Sequence, residues 1–207
     1  MINPNIMLKC IVIGNLSVGK TSIILRYTKN TFAGQYIPTI GADFTTTSLK
    51  IDENYEMVDL QGKDNYILEN LHLTYEEFTL LNDQFDEDTK IYLWDLAGQP
   101  FFRKIRNYYM SHAFMALTVF DLNKPPYDIS GWLNDLKTFS PHSDFLLVGN
   151  KSDLIDSEES NLKEQIASLE QRHDSKVHLV SAKSAEGVRG LFIEMKINMM
   201  KRLVPTS

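Results

Sequence analysis

The sequence predicts an α/β fold, a mostly parallel sheet of six strands flanked by helices, and three observations carry that expectation. Six short apolar, β-rich runs recur along the 207 residues: Leu8–Ile13, Phe44–Ile51, Lys90–Trp94, Met115–Phe120, Phe145–Val148 and Val177–Val180. Between several of them, apolar residues step at i, i+3, i+4, i+7, the signature of one buried helix face. Apolar strands interleaved with such helices need cover on both sheet faces, which a parallel α/β architecture supplies.

The elements follow in order. The first run leads into Gly14–Thr21 and then a helical pattern over Ser22–Lys29. The second and third runs are expected to pair antiparallel, with 37 residues, 52–88, between them. Within that segment Thr74-Tyr75-Glu76-Glu77 forms a capping box, and Leu73 and Phe78 are spaced as a hydrophobic staple, which predicts a helix near 75–84. After the fourth strand Pro125-Pro126 marks a surface turn, followed by the helical set Ile129, Trp132, Leu133 and Leu136. Leu162, Ile166 and Leu169 precede the sixth strand, and Val188, Leu191, Phe192, Met195 and Met199 form one face of a last helix.

An apolar fraction of 43% and a charged fraction of 23% are ordinary for a globular chain and argue against bulk disorder. The one cysteine, Cys10, excludes a disulfide framework and points to a reducing compartment. The longest apolar runs, such as Ala113–Phe120, have strand length and are too short to span a bilayer. Lys9 interrupts the N-terminal apolar stretch, so no signal peptide is read. Residue 2 is Ile rather than Gly, and the tail Val204-Pro205-Thr206-Ser207 offers no cysteine for a lipid. The expectation is a soluble, cytoplasmic protein with no intrinsic membrane anchor.

The net charge of −6 conceals an asymmetry. Residues 52–88 hold twelve acids against Lys63, a net of −11, leaving 20 bases and 15 acids, +5, for the remainder. Such a block marks an inserted element rather than a nucleic-acid binder. Asp83–Asp88 lacks the glycine that a calcium loop requires, so an EF-hand is rejected. A solvated acidic excursion is the expectation that weighs most.

Gly14-Asn15-Leu16-Ser17-Val18-Gly19-Lys20-Thr21 matches G-x-x-x-x-G-K-[ST] between a strand and a helix. Its glycines let successive N–H groups, those of Ser17, Val18 and Gly19 among them, face a phosphate chain at a helix N-terminus that continues into Ser22. Lys20 would meet the β/γ-phosphates and the Thr21 hydroxyl would ligate Mg²⁺. Asp95-Leu96-Ala97-Gly98-Gln99 follows a strand, where Asp95 can approach the metal through water and the Gly98 N–H can meet a γ-phosphate. Asn150-Lys151-Ser152-Asp153 follows another; an Asp153 carboxylate there can accept both N–H groups on the Watson–Crick edge of guanine. Ser181-Ala182-Lys183 follows the last strand and can offer a backbone N–H to the guanine carbonyl.

In this order, each at a strand end, these motifs resemble those of Ras-superfamily small GTPases, over nearly the whole chain except 52–88. The flavour is Rab-like: Tyr36-Ile37-Pro38-Thr39-Ile40-Gly41-Ala42-Asp43-Phe44, Trp94-Asp95-Leu96-Ala97-Gly98-Gln99, then Tyr108-Tyr109. The resemblance implies a single P-loop NTPase G domain over 1–207, with 52–88 as an acidic insert between the second and third strands. It implies a monomeric switch that hydrolyses GTP to GDP with Mg²⁺, slowly without a partner, in trafficking or signalling. It makes Thr39 the first-switch threonine on Mg²⁺, beside Thr21 and Asp95. Phe32 becomes the aromatic against guanine, Tyr36 the one over the phosphates, and Gln99 the residue that orients the attacking water. Phe44, Trp94 and Tyr108 resemble the aromatic triad that meets effectors, and 101–109 the second switch.

Some positions depart from the family pattern. Leu16 stands where many relatives have a small residue, and Pro100 follows Gln99 where relatives usually carry an acid. Proline restricts its predecessor and suits a first helical position, so Gln99 is expected to be held rather than mobile. The missing terminal cysteine makes archaeal (Asgard-type) relatives without lipid tails a natural comparison. A guanine-nucleotide-binding interaction module with little hydrolysis remains the alternative, favoured by Leu16 and Pro100 and opposed by Thr39 and Gln99. The second switch has three bases and no acids. A further expectation is therefore that the acidic segment folds back onto it, burying Leu80, Leu81 or Phe85.

Overall fold

β1 (Leu8–Ile13) is buried along its whole length, as an unbroken apolar strand at the centre of a sheet must be. The computed structural model describes residues 7–33, 38–52, 66–155 and 160–204. The remaining strands are β2 (Ala42–Ser48), β3 (Lys90–Leu96), β4 (Met115–Asp121), β5 (Asp144–Asn150) and β6 (Val177–Val180). They form a six-stranded sheet in the order β2-β3-β1-β4-β5-β6. β2 runs antiparallel to β3 with Phe44 opposite Trp94, and the other pairings are parallel. β1 thus has β3 on one side and β4 on the other, and a crevice opens beyond its carboxyl end where the connections diverge.

The helices are α1 (Lys20–Lys29), α2 (Tyr66–Asn70), α3 (Tyr75–Asn82), α4 (Arg106–Met110), α5 (Ser130–Phe139), α6 (Ser160–His173) and α7 (Val188–Leu203). α1 begins two residues before the expected Ser22, because Gly19 takes a left-handed conformation, φ 97°, and turns the chain directly into the helix. The period of two along β1 splits the core. Leu8, Cys10 and Val12 face the cluster shared with α1 and α7, whereas Ile11 and Ile13 meet Met110, Trp132 and Leu136 on the other face. A third cluster joins Phe120 and Leu147 to Leu162 and Leu169 of α6.

The acidic segment departs from expectation. Its capping box is present: the Glu77 N–H donates to Thr74 Oγ1 at 3.2 Å, and the Thr74 N–H donates to Glu77 Oε2 at 2.8 Å. These bonds hold the Glu77 carboxyl below its ordinary range. α3 stops at Asn82, two residues short of the expected 84. Leu68, Phe78, Leu81 and Phe85 are buried in the cluster that holds α7, and Leu73 packs against it. Asn82 is fully buried and exchanges both side-chain bonds with Ile51, from its N–H at 2.8 Å and to its C=O at 3.0 Å. Lys201 Nζ donates to the Leu71 carbonyl at 2.7 Å. The solvated excursion is therefore wrong for the described part of the segment, since four of its apolar side chains leave water.

For the described part of the segment, the fold-back onto the second switch fails for a geometric reason. Residues 66–88 cover the sheet face that carries α1 and α7, whereas Met110 packs on the opposite face. Of the three residues expected in that contact, Leu81 and Phe85 are buried against the α7 side and Leu80 is exposed. The cover also explains why α7 is buried far beyond its expected stripe, with Ile193, Ile197 and Met200 enclosed as well. A hairpin turn in place of 52–88 would uncover that second stripe.

Under this cover His178 Nε2 of β6 lies 3.4 Å from Glu194 Oε1 of α7. Burial, aided by Lys176, pushes His178 down to about 4, and burial pushes Glu194 up to about 6. For His178 the unfolded chain binds the proton more readily, so its contribution is complete above the ordinary value near 6.5 and is lost as pH falls toward 4. Glu194 acts oppositely, favouring the fold as it protonates below about 6. Urea melts at pH 7 and pH 5 should therefore show His178→Gln losing about 2 kcal/mol less than wild type on acidification. Parallel losses in both proteins would refute a buried neutral imidazole.

Candidate functional site

The crevice at the end of β1 is walled by the loop 14–19, whose backbone leaves no room for side chains at its tight points. A Cβ on Gly19 would lie 2.2 Å from the Asn150 side-chain amide nitrogen. Lys20, the first residue of α1, is only 6% exposed. Its ammonium turns back over the loop and donates to the Gly14 and Asn15 carbonyls, each at 2.9 Å. Burial pushes Lys20 down to about 8, with the Asp95 charge opposing that shift.

Asp95, near the end of β3, faces the start of α1 across the crevice. Its Oδ2 accepts from the Thr21 hydroxyl and, at 3.0 Å, from the Thr39 hydroxyl; the two hydroxyl oxygens are 2.9 Å apart. Burial raises the Asp95 carboxyl, while the Thr21 hydrogen bond and Lys20 oppose the rise. Asp95 Oδ1 is buried with no hydrogen-bond partner among the described residues. An orphaned carboxylate oxygen beside two convergent hydroxyls fits a small, hard divalent cation that takes its remaining ligands from water or phosphate. No group of three or more His, Cys, Asp or Glu that could hold a metal ion occurs among the described residues. Gln99 Nε2 donates to the Thr39 carbonyl at 3.2 Å, tying β3's exit to the residue that closes the hydroxyl cluster. Its buried Oε1 lacks a partner among the described residues. Pro100 opens the 3₁₀ turn Pro100–Ile105, as its fixed φ favours.

The other end of the crevice is built by the ends of β5 and β6. Asn150 is 2% exposed and spans two loops: Nδ2 donates to the Val18 carbonyl at 2.8 Å, and Oδ1 accepts the Ala182 N–H at 3.1 Å. Of the Ser181–Lys183 stretch expected to offer a backbone N–H to a base, the Ala182 N–H is thus engaged by Asn150, because a buried amide must satisfy both its ends. Asp153 Oδ1 accepts from Ser181 Oγ at 2.6 Å and Oδ2 lies 3.5 Å from Lys183 Nζ. The Ser181 bond first, then Lys183, hold its carboxyl below the usual range.

Together these residues enclose a cavity of about 980 Å³, ample for a nucleotide. Ser17, Ser22, Phe32, Thr39, Gly98, Gln99 and Lys151 line it along with the groups above. Gly14, Val18 and Ser181 do not line it; they hold its wall from behind. Tyr36 lies outside the described residues. Phe44 stacks on Trp94 with ring centroids 5.6 Å apart, but the next ring on Trp94 is Tyr109 at 6.4 Å. Tyr108, the third residue of the expected effector triad, is 73% exposed. Successive helical side chains diverge by about 100°, so adjacent tyrosines cannot share one contact.

Three supporting residues escaped sequence reading. Arg26 of α1 donates to the Ala182 carbonyl at 2.8 Å and the Lys183 carbonyl at 3.0 Å, holding the β6 loop. Asp121 pairs with Lys151 at 2.6 Å. Asn15 Oδ1 accepts the Trp132 indole N–H at 2.9 Å. Arg26 and Asp121 belong to no short motif and Asn15 fills a variable position of the loop motif; only the strand-end position of Asp121 hinted at a role.

No helix among the described residues is long and apolar enough to cross a membrane. The sequence profile of the Ras family matches the chain in two stretches, residues 9–75 and 63–201. The chain is 31% identical over 203 residues to the Ras-related protein Rab-4 of Dictyostelium discoideum, covering 97% of this chain and 82% of that one. Against the Ras-related protein Rab-18 of Lymnaea stagnalis it is 30% identical over 192 residues, 91% and 78% of the two chains. The Ras-related protein Rab-27B of Rattus norvegicus is 27% identical over 201 residues, 95% and 81%. With the 14–19 loop, a hydroxyl–carboxylate cluster and the Asn150–Asp153 loop around one cavity, the chain belongs to the Ras family, as a Rab-like small GTPase switch.

Proposed function

We propose that this chain binds GTP and GDP with Mg²⁺ and hydrolyses GTP slowly until a partner acts on it. The observation that carries the reading is the convergence of the Thr21 and Thr39 hydroxyls on Asp95, with Gln99 held on the Thr39 carbonyl. Thr21 and Thr39 would hold the metal directly and Asp95 through water. Mg²⁺, when bound, supplies charge neutralisation at the phosphate oxygens. Lys20 and the loop N–H groups bind the phosphate chain, and Gly98 lies where its N–H can meet the terminal phosphate. Gln99 orients the attacking water with its free amide oxygen, and Asp153 reads the guanine edge with Asn150 and Lys151 holding its loop. Residues 31–44 contain no arginine, so developing charge has no cis partner in the first switch, which is the reason for a slow unaided rate.

The chain acts as a monomeric single domain over 1–207, in which 52–88 is an insertion; the break of the family match into two stretches supports this. Effectors and regulators meet the face of Phe44, Trp94 and the second switch, where Phe44, Phe101 and Tyr108 expose their rings. Trafficking is the setting that its Rab-named relatives suggest.

The nucleotide released from purified protein, followed by single-turnover hydrolysis, tests the reading. Gln99→Leu keeps the volume and removes the polar group, so it should slow single-turnover hydrolysis by roughly tenfold to a hundredfold and leave GDP affinity nearly intact. Equal slow rates in both proteins would favour a binding module instead.

A further inference from the structure

The stretch from Gly98 to Arg106, which leads into the second switch, is fastened at both ends to one residue of the 14–19 loop. At its start, a Cβ on Gly98 would lie 2.6 Å from the Asn15 carbonyl carbon and 2.7 Å from the Leu16 nitrogen, so two backbones touch there. At its far end, the Arg106 guanidinium lies 3.6 Å from the Trp132 ring centroid and 3.2 Å from Asp135 Oδ2. Trp132 in turn donates its indole N–H to Asn15 Oδ1 at 2.9 Å. The assembly is dry: Trp132 is 3% exposed, and the Arg106 and Asp135 side chains 11% and 17%. The Asn15 peptide also accepts the Lys20 ammonium at 2.9 Å, so the anchoring residue touches the group that would meet the phosphates.

We propose that Arg106 is a positioning residue for GTP hydrolysis, closing through Trp132 and Asn15 a ring of contacts that keeps Gln99 on the Thr39 carbonyl. This rests on the reading of Gln99 as the residue that orients water. A segment tied at both ends samples fewer conformations than one tied at its start, so the Gln99 amide is preorganised before water arrives. The planar guanidinium can lie flat on the indole while one nitrogen reaches Asp135, which an ammonium cannot do. A contact made in the dry interior between two helices persists at ionic strengths that screen surface pairs.

The test uses full-length protein loaded with GTP. Arg106→Ala should lower the single-turnover rate by about tenfold while GDP affinity stays within about twofold, because no contact to the cavity is removed. Arg106→Lys restores charge but not the flat stack and should recover less than half of the lost rate. The two tryptophans, labelled as 5-fluorotryptophan, provide a second readout, with a Trp94→Phe sample assigning the resonances. The Trp132 ¹⁹F shift should differ between GDP-loaded protein and protein loaded with a non-hydrolysable GTP analogue, and Arg106→Ala should collapse that difference. Asp135→Asn, which loosens the guanidinium without emptying its space, should slow hydrolysis in the same direction and serves if Arg106→Ala does not fold. An Arg106→Ala rate within twofold of wild type, with Gln99→Leu slow, overturns the inference and leaves the reading of Gln99 standing. Loss of nucleotide affinity in step with rate also overturns it, since a merely structural residue would do that. Unchanged rates in both the Gln99 and Arg106 variants overturn both.

Discussion

Lys20→Met is expected to lower GTP and GDP affinity by a hundredfold or more. The ammonium is held almost out of water by two loop carbonyls at 2.9 Å, and burial already pulls it down to about 8. The fold has thus met the desolvation cost before any ligand arrives, and a polyphosphate finds a charge that needs no reorganisation. Removing one member of a buried charge pair costs about 3–5 kcal/mol, which corresponds to roughly a hundredfold to several thousandfold in affinity. Methionine keeps the length and apolar stem, so the unliganded protein should remain folded by circular dichroism: relief of a desolvated charge offsets the two lost donors. Titration with a fluorescent GDP analogue provides the measurement. Affinity within tenfold of wild type would mean that the ammonium does not face the phosphates.

Asp153→Asn should exchange guanine for xanthine preference. The carboxylate is oriented by Ser181 Oγ at 2.6 Å and kept ionised by that bond and Lys183. Asparagine can still accept the Ser181 hydroxyl through Oδ1, but it puts an amide donor where the second carboxylate oxygen stood. Guanine presents N–H donors on that edge; xanthine replaces one by a carbonyl. Charge-assisted hydrogen bonds contribute on the order of 1.5–3 kcal/mol each, so GTP affinity should fall by more than about tenfold while xanthosine triphosphate affinity rises. A competition titration with both nucleotides reads the ratio, and unchanged GTP affinity would sink the assignment of Asp153.

These two predictions differ in how much of their basis was legible before the structure. Lys20 sits in an eight-residue motif whose spacing alone dictates a phosphate-binding turn, because loop curvature and helix start are set by neighbouring residues. The capping box at Thr74 was legible for the same reason, its hydrogen bonds spanning three residues. Asp153 could be placed at a strand end from sequence, but its clamp by Ser181 joins positions 28 apart. The choice of Tyr109 over Tyr108 as the ring on Trp94 depended on the rotation of a five-residue helix, which no local pattern sets.

The acidic segment marks the boundary most sharply. Its charge and its helix could be read residue by residue, and charge suggested solvent or the basic second switch. The structure instead sends Phe78, Leu81 and Phe85 against α7, where their burial outweighs weak attraction between exposed charges. The succession of strands along the chain, the glycine-rich loop and the strand-end acids were determined by the sequence itself, through periodicity and contiguous motifs. Which face the segment covers, how Asn82 locks Ile51, and how Arg106 reaches Asn15 through Trp132 were decided only in three dimensions. Those contacts join residues from 26 to 117 positions apart, and burial and geometry, not local propensity, select them.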